Sequence, residues 1–454
     1  MNEPNSQLAT ANSNSRTKRK GFLRRFGKAF LALMLLCAVF GGLAWLEMEG
    51  IFMTELANTK ERIKNSPNFK NGVAQNKENT TLMTDKPNLK AANLSAKNEP
   101  NSSTILPEPT LSDTKPSANG QNPSVPNSAN FSVEINSSKA NSSANADEFS
   151  SDDMSRYKAI LDLLKVPKAR IPSVKSDLKA PQKDSFVWFG HSSYMLFLDG
   201  KSVLIDPILQ DNAAPVPLII KAFEGADIYA PDDLPKIDFL IITHNHYDHL
   251  SKKTLKKLAH KVERAIVPLG VGKYLKAWGI AESNISELDW DEVAEFNGFA
   301  FHCLTARHFS GRGVFDQNKS LWASFLLEFK GKKLFFGGDS GYGAHFAEFG
   351  KRFGSVDLAF LENGQFNKSW AQIHAFPHQS LQIANDLRAK AIMSVHNSKF
   401  KLAPHAWNEP LEQIYTLYTQ GKARGNFDFA LFMPQIGQIV PLWDDKFKSE
   451  IWWR

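Results

Sequence analysis

The stretch from residue 237 to residue 249 constrains this chain more than any other. A largely apolar segment of buried-strand type, 237–243, runs without a linker into His244-Asn245-His246-Tyr247-Asp248-His249. A strand that ends at once in clustered imidazoles and a carboxylate puts those side chains on a turn at a sheet edge. Other apolar runs bring groups of the same kind to their ends. His308 follows 299–304, Asp339 follows 334–336 through Gly337-Gly338, and His396 follows 391–395. Five histidines and two aspartates thus converge from four strands. Imidazoles and carboxylates without thiolates suit a hydrolytic metal centre with open coordination positions. Seven ligands exceed what one tetrahedral ion takes and suit two ions sharing a carboxylate. A lone His-x-His would mean little; the His, Asp and His downstream, in that order, make the pattern specific.

The surrounding sequence reads as strands at 186–189, 194–198, 203–205, 265–267, 324–329 and 356–361. Asp199-Gly200 and Lys330-Gly331 are hairpin turns. Helical patterns cover 251–258, with Ser251 as its cap, 271–278 and 380–387. Short hydrophobic strands interleaved with hairpins and helices predict an α/β sandwich, two mixed sheets with helices outside.

The segment before this domain has a different character. The formal charge of the whole chain is +7, but residues 1–28 hold seven basic side chains against Glu3, leaving residues 29–454 at only +1. A nearly neutral domain gives no electrostatic case for nucleic acid, and none is expected as a partner. Residues 29–46 are an unbroken run of 18 apolar or glycine residues. As a helix it spans about 27 Å, just under the hydrocarbon core of a bilayer. With the basic tail cytoplasmic, it predicts a single-pass anchor in the inner membrane and an extracytoplasmic (periplasmic) domain. A cleaved signal peptide is the alternative, since Gly42-Leu43-Ala44 passes as a small-x-small site. Residues 86–153 are dominated by Asn, Ser, Lys, Ala and Pro, too polar to form a core, and predict a disordered spacer. The expected order is therefore a basic tail (1–28), a transmembrane helix (29–46), a juxtamembrane segment (47–85), the spacer (86–153) and one folded domain (154–454). Only Cys37 and Cys303 are present, which excludes a disulfide-stapled scaffold. Cys303 lies inside a strand and reads as core.

The motifs resemble those of the metallo-β-lactamase superfamily, and within it the N-acyl-phosphatidylethanolamine-hydrolysing phospholipase D group with its bacterial relatives. The resemblance rests on Phe189-Gly190-His191-Ser192-Ser193, Asp206-Pro207, the histidine turn and Leu288-Asp289-Trp290. It continues through Ala306-Arg307-His308-Phe309-Ser310-Gly311-Arg312, Gly338-Asp339-Ser340-Gly341-Tyr342 and Ile373-His374-Ala375-Phe376-Pro377. Upstream, Ser66-Pro67-Asn68-Phe69-Lys70-Asn71-Gly72 is similar to the family's N-terminal lead-in. The chain departs from the family in its spacer, in Asn397 where Trp is favoured, and in the neutral Gln379 in a stretch that is often acidic. The resemblance implies an αββα sandwich with two Zn2+ ions. His244, His246 and His308 would hold one, Asp248, His249 and His396 the other, and Asp339 would bridge. Asp206 would orient the ligand turn, and His374 would reach the mouth of the site and assist at the phosphate or leaving group.

The function implied is a membrane-anchored, zinc-dependent phosphodiesterase acting on a phosphatidylethanolamine-type phospholipid, releasing phosphatidic acid and the headgroup alcohol. Asp248, itself a ligand, and His374, outside the ligand set, are the candidate catalytic residues. A lactonase of a soluble sugar phosphate is the alternative enzyme, and a silent envelope scaffold the alternative without catalysis. The oligomeric state is open, a homodimer included. His191 reads as a hydrogen-bonded turn residue, and His405 as either pocket lining or a cap. Arg307 and Arg312 flank His308 and suit either a phosphate or an ordinary ion pair.

Overall fold

The computed structural model describes residues 53–77 and 169–454, less 180–182, 217–218, 314, 445–446 and 448, together with the isolated positions 34, 41 and 42. The spacer and, apart from those three positions, the expected anchor lie outside the described residues. Among the described residues no helix is long and apolar enough to cross a membrane.

The first described elements are helix α1 (Thr59–Asn65) and the short hairpin β1 (Phe69–Lys70) and β2 (Val73–Ala74). Asn71 and Gly72 between them have φ of 54° and 73°, the two positive angles of a type I′ turn. Strands β3 (Ser185–Trp188), β4 (Tyr194–Leu198), β5 (Lys201–Ile205) and β6 (Ile237–Ile241) begin the first sheet. Helix α2 (Lys252–Leu258), β7 (Val262–Pro268), helix α3 (Gly272–Ala277) and β8 (Ile285–Leu288) follow. Ser251 caps α2 as expected, its hydroxyl accepting from Thr254 N.

The second sheet is built from β9 (Val293–Phe296), β10 (Phe299–Leu304), β11 (Ser324–Phe329), β12 (Lys332–Phe336), then helix α4 (His345–Phe353) and β13 (Leu358–Glu362). Helix α5 (Pro377–Asp386), β14 (Ala391–Val395), helix α6 (Glu409–Ala423), β15 (Ala430–Phe432) and β16 (Ile439–Pro441) complete the chain. Strand orders are β16-β3-β4-β5-β6-β7-β8 and β15-β14-β13-β12-β11-β10-β9. Each sheet is antiparallel in one half and parallel in the other, with the parallel halves at β5–β8 and β12–β15.

Alternation along the strands explains the layering. In β4, Tyr194, Leu196 and Leu198 point into the core shared by the two sheets, while Met195 and Phe197 point to the outer face. On that outer face Leu255 and Leu258 of α2 and Tyr274 and Leu275 of α3 pack against Leu204 and Leu240. Strands buried on both faces are largely apolar, as in β6, where Asp238 is the one polar residue. Between the sheets the Tyr194 and Phe360 rings stack at 4.3 Å, and Phe186 meets Phe360 edge-on at 5.2 Å. Beyond the second sheet, Phe346 and Phe349 of α4 lie against Phe335. The result is helix, sheet, sheet, helix, the αββα sandwich expected from sequence.

This topology also aligns the strand exits. Strands β12, β13 and β14 are parallel, and β10 runs with them because β11 reverses twice. Their C-terminal ends therefore share one edge, and β5 and β6 of the other sheet bring theirs to it.

Candidate metal centre

His244, His246, Asp248 and His249 leave the end of β6, and His396 follows β14 with no intervening residue. His308 comes from the loop after β10, and Asp339 from the Gly337-Gly338 turn after β12. Gly338 has φ of 58°, and a Cβ there would lie 3.0 Å from both Ala323 O and Thr243 Cβ. The turn thus lets the two sheets approach closely where their ligand loops meet. His191, Asp206 and His396 also hold positive φ, at 53°, 41° and 66°. Such angles are uncommon for residues with side chains and gather at functional sites.

The seven residues singled out by sequence come together. His246 Nδ1 lies 2.9 Å from His244 Nε2 and 3.2 Å from His308 Nε2. A tetrahedral ion with Zn–N bonds of about 2.0–2.1 Å sets its ligand atoms about 3.3 Å apart, so this nitrogen triangle matches one face of such a site. Next to it, His249 Nε2 lies 3.4 Å from Asp248 Oδ2 and 3.2 Å from Asp339 Oδ2. Asp339 Oδ1 lies 3.2 Å from His396 Nδ1. Asp339 Oδ2 is also 3.7 Å from His308 Nε2 and 3.9 Å from His244 Nε2, so one carboxylate faces both groups.

Neighbouring groups orient the ring nitrogens. Asp206, fully buried, accepts from Thr243 N at 2.8 Å and from the Thr243 hydroxyl at 2.6 Å, and its Oδ2 lies 2.8 Å from His249 Nδ1. With its proton committed to Asp206, the Thr243 oxygen accepts from His244 Nδ1 at 3.0 Å, which leaves the Nε2 lone pair facing the cluster. His308 Nδ1 is turned to Ile373 O at 3.1 Å, with the same consequence for its Nε2. His249 Nε2, His246 Nε2, His396 Nε2 and Asp339 Oδ1 are buried without a hydrogen-bond partner. Buried polar atoms are rarely left so, and His249 Nε2 and Asp339 Oδ1, which face other groups of the cluster, fit a ligand set for cations.

The electrostatics agree. Burial holds the imidazoles of His244, His308 and His396 well below the usual histidine range and puts His246 at about 4, so their nitrogens are neutral at pH 7. Burial acts on His249 in the same direction, but Asp339, Asp248 and Asp206 outweigh it and hold that ring protonated. A positive charge thus stands among three buried carboxylates where a cation would stand. The residues present fit a divalent metal site in donor type and spacing.

Several residues have roles that sequence did not disclose. His191 is in a turn, as read, yet its Nε2 also lies 2.8 Å from Asp248 Oδ2 and its ring packs 4.0 Å from that of His396. Glu362, the last residue of β13, was not picked out. It is buried, with Oε2 2.8 Å from His374 Nδ1 and Oε1 accepting from Ala375 N at 2.7 Å. His374 itself sits between the rings of His308 and His396, 5.2 and 5.3 Å away. Arg312 is neither a phosphate arm nor an ion-pair partner in the structure. Its guanidinium donates to Asn245 O and Leu250 O and lies 3.9 Å over the Tyr247 ring, bracing the ligand turn from beneath. Arg307 is buried without an ion pair among the described residues. His405 caps, accepting from Gln365 N at 2.8 Å. Asn397 binds Ser394 Oγ and the carbonyls of Asn363 and Val395. Cys303 is fully buried, its thiol pushed up by desolvation, and is core.

Comparison with known proteins adds to this geometry. A family model described as a beta-lactamase superfamily domain matches residues 201–397. An uncharacterized protein of Mycobacterium tuberculosis is 37% identical over 237 residues, 50% of this chain and 62% of that protein. N-acyl-phosphatidylethanolamine-hydrolyzing phospholipase D 1 of Caenorhabditis elegans is 30% identical over 226 residues, 46% of this chain and 62% of the enzyme. Outer membrane protein RomA of Klebsiella pneumoniae is 52% identical over 95 residues, 21% of this chain and 71% of that protein. The chain spans just under two thirds of the length of the first two of these relatives.

Proposed function

Because the chain belongs to the metallo-β-lactamase superfamily of metal-dependent hydrolases, in its N-acyl-phosphatidylethanolamine-hydrolysing phospholipase D-like group, we propose that it cleaves a phospholipid phosphodiester with two zinc ions. His244, His246 and His308 hold one ion in this reading, and Asp248, His249 and His396 hold the other. The observation that carries it is the placement of Asp339, whose Oδ2 is within 3.9 Å of ligand nitrogens from both groups. When bound, two such ions supply a water nucleophile at neutral pH and a clamp for the phosphoryl oxygens.

The protein's own groups do the rest. Asp206 and Thr243 keep the histidine turn in register, and Arg312 supports it from below. Glu362 holds His374 beside the cluster. Burial raises the Glu362 carboxyl to about 7, while the Glu362 charge outweighs burial at His374 and raises it, so the pair keeps a proton near neutral pH. The water oxygen joins phosphorus as the bond from phosphorus to the headgroup oxygen breaks; His374 gives its proton to the departing alcohol, and the proton released from the water restores the ring. Phosphatidic acid and an N-acylethanolamine-type alcohol are the products.

The anchor reading extends the proposal. Residues 29–46 would tether the domain to the inner membrane by a single span, on the periplasmic side, supported by the basic tail before them. The name of the Klebsiella relative, an outer membrane protein, supports association with the cell envelope. A tether of this kind raises the effective concentration of a lipid substrate and does little for a soluble one. Metal analysis of the purified protein, with hydrolysis assays on a phospholipid panel and a lactone panel, tests the reading. Two equivalents of zinc and lipid cleavage are expected, with activity abolished in Asp339→Ala. A protein active without metal would overturn the metal centre, and rapid opening of sugar-phosphate lactones with every lipid intact would replace the substrate class.

A further inference from the structure

Residues 53–77 precede the expected domain boundary by far in sequence, yet they pack against the fold beside the ligand loops. Thr59 Oγ1 donates to Glu287, whose carboxylate also accepts from Gly270 N and Gly272 N. Arg62 donates to Glu287 O at 2.7 Å and pairs with Glu292. Asn68 Nδ2 donates to Asp289 Oδ1 at 2.7 Å, and Ala74, almost completely buried, donates its N–H to Asn318 O at 2.7 Å. The type I′ turn at Asn71-Gly72 then directs the chain along the loop that carries His308.

At its end Asn76 makes a paired contact with a single residue. Its side-chain Nδ2 donates to His308 O at 3.0 Å, and its Oδ1 accepts from His308 N at 3.3 Å. Among the described residues these two backbone groups of His308 make no other hydrogen bond. A carboxamide presents a donor and an acceptor side by side, the arrangement of one residue in a neighbouring strand. On the opposite side, Arg307 N donates to Ser340 Oγ and Arg307 O accepts from Gly341 N, which ties the same loop to the turn bearing Asp339. The His308 backbone is thus held from outside by Asn76 and its ring from inside by Ile373 O.

We infer that Asn76 is a positioning residue for the metal centre: the N-terminal lead-in is part of the site because its carboxamide sets the backbone of His308. This rests on the dinuclear reading above. A leucine or alanine at 76 would leave the loop without a partner, and His308 would present its nitrogen over a wider range of positions. Aspartate would keep the acceptor for His308 N but set a carboxylate against His308 O. Outer partners of metal-ligating histidines typically affect metal affinity about 10–100-fold.

The test is competition of zinc alone between a chromophoric chelator and the full chain, carried out for the native protein, Asn76→Ala, Asn76→Asp and Lys77→Ala. Lys77 serves as the control, since it holds the lead-in through Asp291 at 2.6 Å without touching His308. Native protein should take two equivalents. Asn76→Ala and Asn76→Asp should weaken one equivalent about 10–100-fold and spare the other, with the metal-free melting temperature within a few degrees of native, while Lys77→Ala keeps both affinities. Native affinities in Asn76→Ala would overturn the positioning role. So would equal weakening in Lys77→Ala, or a loss of both equivalents with a large fall in the metal-free melting temperature, because Asn76 would then serve the fold generally. A native chain that binds no zinc would instead refute the metal centre itself.

Discussion

Glu362 Oε2 lies 2.8 Å from His374 Nδ1, joining the last residue of a buried strand to a ring beside the metal-type cluster. The other Glu362 oxygen accepts from Ala375 N at 2.7 Å and Ser340 N at 3.2 Å, so the same carboxylate also secures the residue following Asp339. Without this partner His374 is free to turn, and its proton loses its nearest counter-charge.

Glu362→Gln should therefore lower kcat on the proposed phospholipid substrate by about 10–100-fold while metal content is kept. Zinc analysis and steady-state rates on the same sample check this. An unchanged rate would remove His374 orientation from the account.

The sheet interface makes a separate prediction. Phe360 is fully buried, stacked on Tyr194 and edge-on to Phe186, so its ring joins the two sheets. Phe360→Ala should cost about 3–5 kcal/mol of stability, through lost burial and the cavity left behind. Denaturant unfolding measures it, and a cost under about 1 kcal/mol would mean that the sheets repack around the gap.

Much of this arrangement was legible in sequence, for a physical reason. Each of His244, His308, Asp339 and His396 follows an apolar run that only a buried strand explains, so pattern and chemistry pointed to the same edge. Asp199-Gly200 and Lys330-Gly331 turned as expected, both pairs with positive φ. Asn297-Gly298, with φ of 49° and 85°, offered the same signal between β9 and β10 and was not read. Helix α5 begins at Pro377, earlier than its apolar periodicity suggested, because proline suits the first helical turn. Glu362 was hidden because it closes an apolar strand and its partners come from other segments. Its one signal was a lone charge at the end of a buried run. Asn76 was hidden by distance: nothing local ties a lead-in asparagine to a loop more than 200 residues later. Arg312 misled because adjacency to a ligand in sequence does not decide where a long side chain turns.

Acid should weaken one anchor of α6. Hydrogen bonds from Arg454 and Trp453 hold Glu412 at about 2. Unfolded, it titrates near the ordinary value of about 4.3. A depressed folded pKa gives stability that is present above the unfolded value and lost as pH falls toward the folded one. The pair is solvent-exposed, so its contribution is small. Glu412→Gln should lower the melting temperature by about 2 °C or less at pH 7, and the gap should narrow as pH falls below about 4.3 and close as it reaches about 2. A gap that widens in acid would contradict the assignment.

The central claim is that water is delivered to the phosphorus of a phospholipid at the Asp339-centred cluster. Mass spectrometry of the products formed from N-acyl-phosphatidylethanolamine vesicles in 18O-labelled water tests it most directly. The account predicts phosphatidic acid carrying one 18O atom and an unlabelled N-acylethanolamine, both absent with Asp339→Ala. Label in the alcohol, or a fully zinc-loaded protein that releases neither product, would contradict it.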